Sequence, residues 1–169
     1  MLRAVLLFYR LLSALAALAM LATFFFVMLG VIARIAGWDL PGLDAYAGYA
    51  IAAGLFLALP STLKRGDHIR VTLVLDRLPV AGRSVMEWWS LLAAFGLSLY
   101  VSWYSVRLVW VSYEMHDVSP AADATPLWIP QLAMALGSIG LALAFAHALL
   151  ARRRGENFIE ESDEASHVE

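Results

Sequence analysis

Residues 11–33 read LLSALAALAMLATFFFVMLGVIA, twenty-three positions without a single charge. A helix rises about 1.5 Å per residue, so about 20 such residues cross the hydrocarbon core of a bilayer. Inside lipid every backbone N–H and C=O must find its partner within the chain, which leaves helices or a closed β-barrel. A barrel strand alternates apolar and polar residues, and this run does not, so a transmembrane helix is expected. Arg3 and Arg10 precede the run, as in a secretory signal. A signal core is only about 7–15 residues long, and ARIA at 33–36 is a poor cleavage site. The segment is therefore expected to stay as a membrane anchor.

Three more runs of this kind follow: AYAGYAIAAGLFLALPSTL at 45–63, WWSLLAAFGLSLYVSWYSV at 88–106 and LWIPQLAMALGSIGLALAFAHALL at 127–150. Their ends place helices at about 11–36, 43–63, 86–113 and 127–150. The fold class is an all-α membrane protein with four transmembrane helices. The membrane domain is expected to cover 1–154, ahead of an acidic tail at 155–169, GENFIEESDEASHVE, expected to be disordered. Composition agrees: 62% of the residues are hydrophobic, where a soluble domain has about 45–50%.

The basic residues fix an expected orientation. Arg3 and Arg10 precede the first helix, Lys64, Arg65, Arg70, Arg77 and Arg83 lie between the second and third, and Arg152, Arg153 and Arg154 follow the fourth. Only Arg34 and Arg107 lie toward the other side. The positive-inside rule then puts both termini in the cytoplasm, as an even number of spans requires. Trp38, Trp110 and Trp128 fall at the outer helix ends and Trp88 and Trp89 at an inner one, as headgroup-level belts do.

The stretch LKRGDHIRVTLVLDRLP at 63–79 is a charged island on the cytoplasmic side. Gly66 can end the second helix and Asp67 can cap a new one. Over 67–78, Val71, Val74, Leu75 and Leu78 fall on one helical face, with Arg70 and Arg77 on a flank. The expectation is an amphipathic helix lying in the membrane interface, its stripe toward the acyl chains and its basic residues toward anionic headgroups. Lys64, Arg65, Arg70 and Arg77 are the candidate headgroup contacts. The alternative is a plain basic connecting loop.

Chemistry is constrained mainly by what is missing. The chain has no cysteine, which excludes thiol catalysis, disulfides and cysteine-held metal clusters. Of the four histidines only His147 lies in a span, which excludes a bis-histidine haem. The acids nearest to a span, Asp44 and Glu87, sit at helix ends, whereas an ion-coupled carrier needs a carboxylate deep in the membrane. No catalytic constellation, cofactor site or nucleic-acid surface is read. Three polar residues are candidates for structural roles: Arg34, Asp44 and Arg107. Arg107 lies one turn inside Trp110, where it can snorkel to the outer headgroups or pair with an acid such as Asp44. Ala50, Gly54 and Ala58 repeat every four residues on the second helix, as do Gly140, Ala144 and Ala148 on the fourth, with Gly137 nearby. Small residues at this spacing let membrane helices approach closely. Pro60 should kink or end the second helix. Ala50, Gly54 and Ala58, with Val74 and Leu75, are the candidate subunit-packing residues.

Together these residues resemble the DctQ-like small membrane subunit of tripartite ATP-independent periplasmic (TRAP) transporters. The resemblance rests on a Gly followed by HIRV at 68–71 and LVLDRLP at 73–79, on Arg34, Asp44 and Gly54, and on TPLWIP at 125–130. It covers nearly the whole chain to about residue 150. Two departures are Leu43 before Asp44, where the family often has Trp before Glu, and ALGSIG at 135–140, where it often has a Pro motif. The resemblance implies a subunit of the bacterial inner membrane that braces a large, separate, DctM-like elevator subunit. It also implies sodium-coupled uptake of an organic acid delivered by a periplasmic, DctP-like binding protein, with phospholipids as further partners. The alternative is a stand-alone four-helix membrane protein, an assembly factor or an unrecognised membrane enzyme.

Overall fold

The computed structural model describes residues 2–65 and 79–154. The expected interfacial helix at 67–78 and the acidic tail at 155–169 lie outside the described residues. Among the described residues the chain forms α1 (Leu2–Ala36), α2 (Leu43–Arg65), α3 (Val80–Glu114) and α4 (Trp128–Arg153), and no strand beyond one isolated bridge between Val118 and Pro126. All four helices contain stretches long and apolar enough to cross a membrane. α1 and α3 have 35 residues each, about 52 Å of helix and longer than the bilayer core requires. α1 begins well before the apolar run at residue 11 because VLLFY at 5–9 continues the helix.

The helices stand in a row, α1–α2–α4–α3, in which α1 packs on α2, α2 on α4 and α4 on α3. The buried residues explain the order. Along α1, Val5, Tyr9, Leu12, Ala16, Ala19, Thr23, Phe26, Gly30 and Ala33 are all buried or half-buried, at steps that alternate between four and three. That heptad spacing is the signature of left-handed packing at a crossing angle of about 20°. Leu12 and Ala16 join Leu57 of α2 in one cluster, and Tyr9 joins Leu63 of α2 and Ala144 of α4 in another.

Pro60 lies inside α2 rather than ending it, and it is among the most completely buried side chains. A proline has no N–H, so the carbonyl four residues earlier, that of Phe56, loses its helical donor. Gly137 of α4 lies directly over that carbonyl, where any Cβ would collide with the Phe56 oxygen. One turn later a Cβ on Gly140 would come within 2.7 Å of the Pro60 ring and of Leu12 Cδ1. The Pro60 ring is thus seated against α4, and α2 crosses α4 at backbone distance. Ser61 and Thr62 donate to the carbonyls of Ala58 and Leu59 at 2.8 and 2.9 Å, so both hydroxyls are satisfied within α2.

α4 can stand in the middle because it is small on both sides. Gly137, Gly140 and Ala144 face α2 and α1. Ala135, Ser138 and Ala142 are buried too, and each is two residues from one of the first three, about 200° around the helix and therefore on the side of α3.

Candidate subunit interface

α3 carries two stripes. The first is Leu91, Phe95, Ser98, Ser102, Ser105, Val109 and Ser112, again at alternating steps of four and three and all buried or half-buried. It is the seam against α4. Ser102 donates to the Ser98 carbonyl at 2.7 Å, Ser98 to Phe95 at 2.8 Å and Ser138 of α4 to Ala135 at 3.0 Å. These hydroxyls are satisfied inside their own helices, so they act as small residues that let the backbones approach. The sequence reading had not singled out this serine seam; a search for small or hydroxyl residues at heptad spacing finds it.

The second stripe, two residues out of phase, holds Trp89, Gly96, Tyr100, Trp103, Arg107 and Trp110, and all six are exposed. Tyr100 and Tyr104 rings lie 4.5 Å apart at their centroids. An open groove of about 590 Å³ runs beside this stripe, lined by Gly96, Tyr100, Trp103 and Val106 with Ile139 of α4.

The two ends of the row are pinned by polar contacts. At the end where α3 begins and α4 stops, Arg152 Nη2 lies 2.6 Å from Glu87 Oε2, Arg83 Nε lies 3.2 Å from Glu87 Oε1, and the Arg152 guanidinium sits 5.6 Å from the centre of the Trp88 ring. Glu87 thus joins the helix-terminal cations of α3 and α4 into one network. Nearby, the Tyr9 hydroxyl and His147 Nδ1 share a hydrogen bond of 2.9 Å, which ties α1 to α4 across the row.

At the opposite end the loop joining α1 to α2 and the loop joining α3 to α4 clasp each other. α1 closes on Gly37 at φ +71°, with Trp38 N–H donating to the Ala33 carbonyl at 2.8 Å. Gly42, at φ +87°, lies against Asp123, whose Cβ would be 2.8 Å from any side chain there. The Tyr49 hydroxyl donates to Asp123 Oδ2 at 3.3 Å, and so does the Thr125 N–H at the same distance. Hydrogen bonding to Thr125, and then to Ser119, holds the Asp123 carboxyl below the usual range against a smaller upward push from desolvation. Ser119 N–H donates to the Thr125 carbonyl at 2.8 Å and Leu127 N–H to Asp117 at 2.9 Å. The first residues of TPLWIP, Thr125 to Leu127, thus belong to this paired loop, and the Tyr113 and Trp128 rings meet edge to face.

The expected site residues are scattered through this arrangement. Gly54 is buried against Met20 and Ala16 of α1, so its surface is taken up within the chain. Ala58 packs beside the Leu12 cluster, and Ala50 is half-buried. Arg34, Asp44 and Arg107 are exposed, and no ion pair among the described residues joins Asp44 to Arg107. Lys64 is half-buried at the end of α2, which closes on Arg65. Arg70, Val74, Leu75 and Arg77 lie outside the described residues.

The sequence comparisons bear on this architecture. No curated protein and no solved structure matches the chain. The family model "Tripartite ATP-independent periplasmic transporters, DctQ component" matches residues 23–155, which takes in the C-terminal part of α1 and all of α2, α3 and α4. This multi-pass chain belongs to the DctQ family and is a small membrane component of a tripartite ATP-independent periplasmic transporter.

Proposed function

We propose that this chain is an accessory subunit that braces a large, DctM-like elevator subunit during sodium-coupled uptake of an organic acid, which a DctP-like binding protein delivers. The observation that carries this reading is the layout of the helices. The row α1–α2–α4–α3 leaves broad helix faces open. The interior serines that pack it, Ser98, Ser102 and Ser138, spend their hydroxyls on their own backbones. Such a row enlarges a scaffold; a carrier site needs ionisable or free polar groups converging at mid-depth.

Orientation in the bacterial inner membrane follows from the distribution of Lys and Arg. Both termini and the segment from 66 to 78 face the cytoplasm, with the Gly42–Asp123 clasp in the periplasm. In this reading residues 67–78 form the interfacial helix, with Val74 and Leu75 toward acyl chains or the large subunit and Lys64, Arg65, Arg70 and Arg77 at the headgroups. The membrane domain comprises 1–154, and 155–169 is an acidic cytoplasmic tail.

The test is co-purification in mild detergent. The tagged chain is expected to retain a large polytopic membrane protein in near-stoichiometric amount. Recovery of the chain alone, from membranes that contain the large subunit, would contradict the reading.

A further inference from the structure

The two end helices of the row differ in a way that assigns their outward faces. The outward side of α1 is aliphatic and aromatic hydrocarbon: Leu7, Leu11, Leu18, Leu21, Phe25 and Ile32 are all exposed. The one described charge on that side, the exposed Arg10, lies near the start of the helix, and from Leu11 to Ile32 nothing there needs more than lipid. The outward stripe of α3 is of another kind. Its candidate span is Gly82–Glu114, so Tyr100 and Trp103 lie near the middle of the membrane. They are 59% and 71% exposed. Among the described residues no hydrogen bond reaches the hydroxyls of Tyr100 or Tyr104 or the Trp103 indole. Polar groups at that depth that face hydrocarbon alone go unpaired, at a real cost. Arg107 adds a charge to the same stripe, about 4.5 Å of helix inside Trp110, with no carboxylate of the described chain beside it. Gly96 leaves a notch in the stripe: beyond its own neighbours and the local helix backbone, nothing described lies within 4 Å of where its Cβ would be.

We infer that the stripe Trp89–Gly96–Tyr100–Trp103–Arg107–Trp110 is the surface on which a transmembrane helix of a second membrane protein docks. That helix carries hydrogen-bond acceptors at mid-depth and a carboxylate near its outer end. The heptad spacing of the stripe suits a helix packed at a shallow left-handed angle, as α4 is packed on the opposite side of α3. The complement to Arg107 sets the register, and the Gly96 notch admits the closest approach. On the reading proposed above, the docking helix belongs to the large subunit, with α1 at the far end of the row facing lipid.

The test uses the whole complex in native membranes. Gly96→Phe fills the notch without touching the fold of this chain; Gly48→Phe, at an exposed glycine of α2 that is equally unobstructed, is the matched control. Gly96→Phe is expected to lower the large subunit retained on the tagged chain about tenfold, with an unchanged melting temperature of the chain itself, and Gly48→Phe less than about twofold. Arg107→Glu is expected to match Gly96→Phe, and Arg107→Lys to retain most of the complex. A photo-crosslinker in place of Trp103 is expected to capture the large subunit, and one in place of Leu18 phospholipid. Full retention by Gly96→Phe would overturn the assignment, as would capture at position 103 of phospholipid alone or of a second copy of this chain. If the wild-type chain retained no large subunit, the accessory role itself would fall and this surface with it. If the wild type retained it and Gly96→Phe did too, only the surface would fall.

Discussion

Gly137→Leu is expected to abolish the native packing of α2 on α4. The carbonyl of Phe56 occupies the space that a Cβ at position 137 needs. That carbonyl is backbone, so no rotamer change can clear it. Relief requires α2 and α4 to separate, which also unseats Pro60 and exposes the cluster formed by Tyr9, Leu63 and Ala144. Overpacking a core costs about 1–3 kcal/mol even where side chains can yield. Gly137→Ala is expected to reach the upper end of that range, and Gly137→Leu to leave little folded protein in detergent. Gly48→Leu, at an exposed position where a new Cβ meets nothing within 4 Å beyond its own stretch of helix, is the control expected to melt like the wild type. The measurement is the thermal midpoint of each purified variant. A Gly137→Leu protein that melted with the wild type would show that the two helices do not cross at this point.

Ser138→Leu should come second in size, and it separates two accounts of the α3–α4 seam. Ser138 is 1% exposed, and its hydroxyl bonds to Ala135 of its own helix. If the serines matter because they are small, Ser138→Ala is expected to cost less than about 1 kcal/mol. Ser138→Leu, which forces α3 off α4, is expected to cost about 2–3 kcal/mol. If the hydroxyls instead bonded across the seam, the alanine variant would be nearly as damaging as the leucine one. Melting of the pair decides between these.

The helices were legible in the sequence because hydropathy alone separates a span from a loop, and each of the four apolar runs lies along one of α1 to α4, though α1 and α3 extend well beyond theirs. The pairing of the helices was much less legible. In a soluble helix the buried stripe is the apolar one; in a membrane helix every side is apolar, so hydropathy is silent on which side packs. The heptad of α1 from Val5 to Ala33 and the serine seam of α3 are regular spacings in the sequence, but only the row shows which helix each of them meets. Gly54 and Gly137 were readable as points of close approach, but their partners, Met20 and the Phe56 carbonyl, were not, since four-residue spacing does not say which helix arrives. Pro60 had suggested a kink or an end to α2. The helix does not end there but runs on to Arg65, and Gly137 of α4 leaves room for the freed Phe56 carbonyl. Of the candidate polar residues, Arg107 kept both of its readings in the sequence. The exposed stripe around it gives the residue a context that a single position could not supply. The Tyr9–His147 bond joins residues 138 apart, a separation at which local pattern carries no information.

If this chain supports transport without performing it, reconstituted uptake should require both membrane subunits. Proteoliposomes would hold this chain alone, the large subunit alone, or both, each with a sodium gradient, the cognate binding protein and the radiolabelled acid that the binding protein retains. Sodium-dependent accumulation is expected only when both membrane subunits are present, with only leak in vesicles that hold this chain alone. Gradient-dependent accumulation in vesicles holding only this chain would contradict it.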